Sequence, residues 1–184
     1  MKIRMELLSD AIFGNGMSVP GGEDISVLSD KYGFPYFKGT TLKGIFREEM
    51  QRYVMWTGNP LNVDMLLGKS GDDIYDDKIV FSDLVLSPAV RRTVVKEIGE
   101  DRPNETLDVL TNLRAFTSIN ENGVAEEGSL RLARCVNSGL VFYSEILCPP
   151  DLENDVEEIL GLVKWIGTMR NRGFGKVRIT KVEV

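Results

Sequence analysis

The residues best suited to chemistry crowd one stretch, WIGTMRNRGFGKVRI, residues 165–179, which carries three glycines, four basic residues and no acid. Gly173-Phe174-Gly175-Lys176 invites comparison with a nucleotide loop. A P-loop, however, sets Ser or Thr after its lysine and opens a helix, whereas Val177 follows Lys176 here. A dinucleotide fingerprint also leads into a helix, and this turn leaves one and enters a strand. What such a turn can do is bring backbone N–H groups close to a phosphate, because glycine tolerates φ > 0 and leaves room for the approach. Arg170 and Arg172 add forked donors that match phosphate oxygens. Phe174 can stack on a base or fill a core. The chemistry favoured by these residues is polyanion binding.

Composition narrows the alternatives. The chain has 184 residues and no histidine, which excludes imidazole metal sites and any Ser-His or Cys-His nucleophile pair. Acid–base work near neutral pH then falls to carboxylates, lysine, tyrosine or a metal-bound water. Net charge is −6, so a nucleic acid would have to meet a local basic face. Such faces are visible in the sequence. Six basic and no acidic residues run from Lys164 to Lys181, and a second base-only stretch runs from Lys31 to Arg47. Between them, Asp151, Glu153, Asp155, Glu157 and Glu158 form an acidic block with no base among them. Cys135 and Cys148 lack metal-ligand spacing and read as reduced thiols. No apolar run is long enough for a membrane span and no signal peptide is expected, so the expected location is cytoplasmic.

The elements that must position these residues follow from periodicity. Residues 2–9 alternate as a half-buried strand. A long Gly/Pro-rich loop leads to Thr40 or Thr41 as an expected N-cap, and Leu42, Ile45, Phe46, Met50 and Tyr53 set a helix over 41–56. Residues 78–87 read as a strand buried on both faces, and 88–127 as a polar, irregular insertion. LRLARCV and LVFYSEIL flank Asn-Ser-Gly and predict an antiparallel hairpin. Pro149-Pro150-Asp151 stops the second of these and starts a helix with Leu152, Val156, Ile159, Leu160 and Val163 on its buried stripe, ending near Gly167. A last strand covers 176–184. The expected fold class is α+β: one ferredoxin-like (RRM-like) β-α-β-β-α-β domain over 1–184, with a four-stranded antiparallel sheet and loop insertions.

Four segments in order resemble motifs of the RAMP superfamily of CRISPR-associated proteins. GTMRNRGFGKV resembles its C-terminal glycine-rich loop, G-x-R-x-R-G-x-G before a strand. DISVLSDKYGFPYFKGTTLKGIFRE resembles the segment with an acidic residue ahead of P-Y-I-P-G-S-S-L-K-G-x-x-R. LLGKSGDDIYDDKIVFSDLVL resembles L-F-G before a strand ending in D-A. NLRAFTSINENGVAEEGSLRLARCVNSGLVFYSEI resembles R…I-D-R-x-T-G-x-A…E-x-V-x-x-G-x-x-F. Within the superfamily the likeness is greatest to the backbone (Csm/Cmr-type) subunit of type III effector complexes.

The resemblance implies a guide-RNA-binding backbone subunit, with guide and target RNA, other effector subunits and further copies of itself as partners. It implies RNA contacts at Thr41, Lys43, Arg47, Arg114, Arg170, Arg172, Gly173, Phe174 and Gly175, and a thumb-like insertion within 88–127. It implies target-RNA cleavage at Asp24, with Mg²⁺ or another divalent cation held there. Asn120-Glu121 stands where the family has Asp-Arg, and Arg134 where it has Glu. Rival expectations are a non-catalytic scaffold or capping subunit, a guide-processing endonuclease, and a ferredoxin-like domain binding a small anion.

Overall fold

The computed structural model describes residues 1–14, 16, 23–68 and 79–183. Strand β1 (Lys2–Leu7) buries Ile3, Met5 and Leu7 on one face. It pairs antiparallel with β6 (Val141–Leu147) on one side and β7 (Val177–Lys181) on the other. The outer neighbour of β6 is a broken strand made of β2 (Val80–Phe81) and β3 (Val85–Leu86). The sheet order is therefore β2/β3-β6-β1-β7, which is the ferredoxin-like arrangement.

Helix α1 (Gly39–Thr57) lays Leu42, Phe46, Met50 and Tyr53 on this sheet, and α5 (Glu153–Leu162) adds Val156, Ile159 and Leu160 to the same core. Phe46 is fully buried with its ring 5.2 Å from that of Phe81. The acidic block of α5 finds partners from elsewhere in the chain. Tyr53 donates to Glu158 at 3.0 Å, Asn59 to Asp155 at 3.2 Å and Lys181 to Glu153 at 2.9 Å.

Three expectations are corrected. The strand anticipated over 78–87 is split and buried on one face only, with Val80 45% and Val85 41% exposed. Phe81 faces Ile146 and Val85 faces Tyr143, so four steps along β2/β3 oppose three along β6. That extra residue is a bulge, and it bends the strand at Ser82–Leu84. Helix α1 begins before either threonine, with Lys38 in the N-cap position and no cap from its own side chain. The hairpin across Asn-Ser-Gly does not form. The strand over LRLARCV, β5 (Arg131–Val136), pairs instead with β4 (Thr111–Phe116) in a separate two-stranded sheet. Residues 137–139 cross over to the main sheet, where Gly139 N–H donates to the Leu7 carbonyl at 2.8 Å.

Residues between β3 and β4 fold as α3 (Pro88–Ile98) and α4 (Pro103–Leu110), which pack on each other, whereas a short helix earlier in the chain, α2 (Val63–Leu67), lies against α1. Proline sits in the first turn of both α3 and α4, where its missing N–H costs nothing. The β4–β5 connection, residues 117–130, projects from this region with Ile119, Val124 and Leu130 exposed.

Candidate nucleic-acid interface

The interface is built from the start of α1 and the loop between α5 and β7. At the helix start, Asp83 on the bulge accepts the Gly39 N–H at 2.8 Å. The contact needs a glycine, since a Cβ on Gly39 would stand 2.3 Å from the Phe81 carbonyl oxygen. The carboxylate thus occupies part of the positive helix terminus. Thr41 is exposed, and one N–H earlier than expected is already satisfied.

Side chains of α1 divide to two sides of its buried stripe. At about 100° per residue, Thr41 and Lys43 lie roughly 200° apart, with Leu42 buried between them. Thr41 and Ile45 face the loop, whereas Lys43 and Arg47 share the opposite flank. Arg47 donates to Asp64 at 3.1 Å and to the Leu67 carbonyl at 2.9 Å, fixing the end of α2. The structure therefore does not bring Lys43 and Arg47 to the same cleft as Arg170.

The loop is closed by the pairing of Trp165 with Lys176, with Ile166 N–H donating to Gly175 O at 2.8 Å and Val177 N–H to Lys164 O at 2.9 Å. Inside it, Arg170–Arg172 form one 3₁₀ turn flanked by left-handed residues at Met169 (φ 55°) and Gly173 (φ 86°). Met169 is the one non-glycine residue with positive φ among the described residues, and such conformations cluster at functional sites. Gly175 has φ 77° and approaches so closely that a Cβ would lie 1.9 Å from the Ile166 carbonyl oxygen.

Sequence chemistry assigns the glycine N–H groups to phosphate, and the structure corrects this. Gly173 N–H donates to Arg170 O at 3.1 Å and Gly175 N–H to Asp10 O at 2.8 Å. The glycines shape the loop; the outward donors are guanidinium groups. Arg170 and Arg172 are exposed, and neither forms an ion pair among the described residues. Arg172 lies 5.7 Å over the Phe116 ring, and Phe174 meets the same ring edge-on at 5.5 Å. Phe174 is half-buried and joins the loop to β4.

Thr41 and Ile45 from α1 and Gly167, Thr168 and Arg170 from the loop line one cleft of about 240 Å³, floored by Phe13 and Phe37. Arg170 also borders a larger neighbouring cleft of about 700 Å³. This cationic loop edge facing an open helix flank suits a chain of phosphates, which needs repeated, exposed donors.

Arg114 and Asp24 stand apart from this cleft. Arg114 binds Asp10 at 2.8 Å. Asp10, missed in the sequence, also accepts from Ser138 N–H at 3.0 Å and Asn112 at 3.2 Å. Burial pushes its carboxyl up, but the bonds from Arg114, Ser138 and Asn112 outweigh burial and leave it below the ordinary value. Asp24 is exposed, and its Oδ2 accepts the Leu132 N–H at 2.7 Å. Its neighbour Glu23 is held by Arg134, which also donates to Asp108 at 2.6 Å and Thr111 at 2.9 Å. Arg134, where the motif has glutamate, thus anchors the Asp24 loop onto β5. Among the described residues no group of three or more His, Cys, Asp or Glu could hold a metal. Asp24 therefore offers a single carboxylate, and the carboxylate of Glu23 beside it is engaged by Arg134. The thiols are not activated either, as burial pushes Cys135 up to about 11 and Cys148 upward.

A ferredoxin-like sheet carries a glycine-shaped, arginine-tipped loop beside its first helix. The chain belongs to the RAMP superfamily, whose family model matches residues 4–178. In fold it is similar to a chain of the type III-B Cmr-beta complex bound to cognate target RNA, seen by cryo-EM. The TM-score is 0.72 at 13% identity, over 97% of this chain and 95% of that one. A chain of the apo Cmr-beta complex gives a TM-score of 0.71 at 13% identity, over 99% and 96%. A 90-residue segment is 31% identical to nitrogen fixation nifHD region GlnB-like protein 1 of Methanothermococcus thermolithotrophicus, over 44% of this chain and 80% of the other. The segment spans less than half of the present chain, so the near full-length match sets the family. Among the described residues no helix is long and apolar enough to cross a membrane.

Proposed function

We propose that this chain is a guide-RNA-binding backbone subunit of a type III CRISPR effector, assembling with other effector subunits and with further copies of itself. The observation that carries the reading is the cleft where Arg170 faces Thr41, with Arg170 and Arg172 exposed and outside any ion pair among the described residues. Membership of the RAMP superfamily supports it, as does the likeness in fold to chains of the Cmr-beta complex. Each phosphate neutralised on a single strand adds about 0.7 to the slope of log K against log salt. The double variant Arg170→Ala/Arg172→Ala is expected to weaken binding of single-stranded RNA and to lower that slope by about 1.4. An unchanged slope in a fluorescence-anisotropy titration would place the RNA elsewhere and favour a small-anion site.

Target cleavage at Asp24 is the finer reading, and it competes with a scaffold role. The bond from Leu132 N–H to Asp24 favours an anchoring role for this residue. Any divalent ion there would depend on RNA oxygens for most of its ligands, because this chain supplies one carboxylate with an oxygen already engaged. Asp24→Asn keeps an acceptor for Leu132 and removes the charge, whereas Asp24→Ala removes both. If Asp24 cleaves, both variants and chelation by EDTA abolish cutting of target RNA in the assembled complex. Cutting that survives in Asp24→Asn but not in Asp24→Ala marks an anchor.

A further inference from the structure

The larger cleft beside the loop has a composition unlike that of the phosphate cleft. It is lined by Arg52 and Trp56 from α1 and by Lys164, Trp165 and Arg170 from the loop, with Glu48 and Glu49 on its helix side. Trp56 is 69% exposed and Trp165 36% exposed. Large aromatic rings left in solvent at the rim of a cationic groove are poorly explained by folding, since burial would stabilise each of them.

The two clefts adjoin at Arg170. Arg170 borders both, and Thr41, Ile45, Glu48, Arg52 and Trp56 recur at helical spacing along one flank of α1. From Thr41 to Trp56 this flank runs about 22 Å. We propose that the larger cleft is a base-stacking groove, in which unpaired nucleotides of the RNA strand leaving the Arg170 clamp stack on Trp165 and Trp56. This rests on the RNA-binding reading above and extends it to a second site.

Charge sets the orientation of the strand. Glu49 is neutralised by Arg52 at 2.7 Å, while Glu48 forms no ion pair among the described residues. A bare carboxylate on the helix wall repels phosphates, so the backbone tracks the Lys164 and Arg170 side and the bases turn toward the rings. Stacking needs only a π-face, which makes the groove tolerant of sequence. Ring and cation together give the arrangement common in single-strand-binding grooves.

Trp56 and Trp165 are the two tryptophans of the chain, so intrinsic fluorescence reports on this groove directly. The test titrates the full chain with a short single-stranded RNA of mixed sequence, following tryptophan emission and, in parallel, anisotropy of end-labelled RNA. The expected result is quenching that saturates with the anisotropy change and is absent with an abasic ribose-phosphate oligomer. Trp56→Ala, a change at an exposed position, is expected to weaken binding at least about fivefold. Trp56→Phe is expected to restore most of that loss. Binding without quenching, at unchanged affinity in Trp56→Ala, overturns the groove and leaves the Arg170 clamp standing. Loss of self-association in Trp56→Ala, with RNA affinity intact, identifies the groove as a protein-docking surface and also overturns the proposal. No RNA binding in either measurement overturns groove and clamp together.

Discussion

Asp10 shows how much of the interface depends on a residue with no RNA chemistry of its own. Its carboxylate collects the Arg114 guanidinium, the Ser138 N–H and the Asn112 amide, and its carbonyl accepts the Gly175 N–H. One residue thereby ties the end of β1 to the β4–β5 sheet, the crossover into β6 and the glycine-rich loop. Its folded-state carboxyl lies below the ordinary value near 3.8. A depressed carboxyl contributes stability that is complete above the unfolded value and is lost as pH falls through the folded one. Asp10→Asn keeps the shape but turns two oxygens into one acceptor and one donor, leaving a bond unmade. It is expected to cost about 1–3 kcal/mol at neutral pH and to flatten the fall in stability below about pH 4. Urea unfolding at a series of pH values reads both; an unchanged acid limb would show that Asp10 does not carry it.

The glycine-rich loop separates two uses of glycine that look identical in GFG. Gly173 is left-handed but faces open space, so a methyl group meets only backbone strain. Gly175 adds a collision with the Ile166 carbonyl, within the bond pair that closes the loop. Gly173→Ala is expected to cost about 1–2 kcal/mol and to keep RNA binding. Gly175→Ala is expected to cost more than Gly173→Ala and to weaken RNA binding too, because the Arg170 turn is displaced. Paired denaturation and anisotropy curves compare the two, and equal effects would contradict the close-approach role.

This loop was legible because its glycine spacing and its basic residues both lie in one local run. β1, α1, α5 and β7 were legible for a similar reason, as each has a clean apolar period and one buried face. What escaped the sequence depends on partners far along the chain. The start of α1 is set by Asp83 across the bulge, so the Thr40 and Thr41 cap signal misleads. Asn-Ser-Gly looks like a hairpin turn, yet β4 and Ala11 hold its first arm in one sheet while Leu7 draws its second to the other. The shared helix of Thr41, Lys43 and Arg47 hides the fact that their side chains diverge. The Trp56–Trp165 groove has no sequence signature, because its walls come from opposite halves of the chain.

A net charge of −6 is compatible with the proposed RNA-binding role because the charges are separated in space. The acids gather at the start of α5, while the exposed arginines stand on the loop that follows its other end. The ten residues of α5 set these groups about 15 Å apart along the helix axis. At roughly 0.15 M salt the Debye length is about 8 Å, so the acids are screened from a strand lying on the loop. At roughly 0.01 M it rises to about 30 Å and the repulsion returns. Through water each charge at that distance is worth about 0.3 kcal/mol. Asp151→Lys reverses one exposed acid at that far end and is expected to tighten RNA binding about twofold in the dilute buffer, with no change at the higher salt. If the gain persists at the higher salt, that acid lies against the RNA, and the binding face must include the start of α5 as well as the loop.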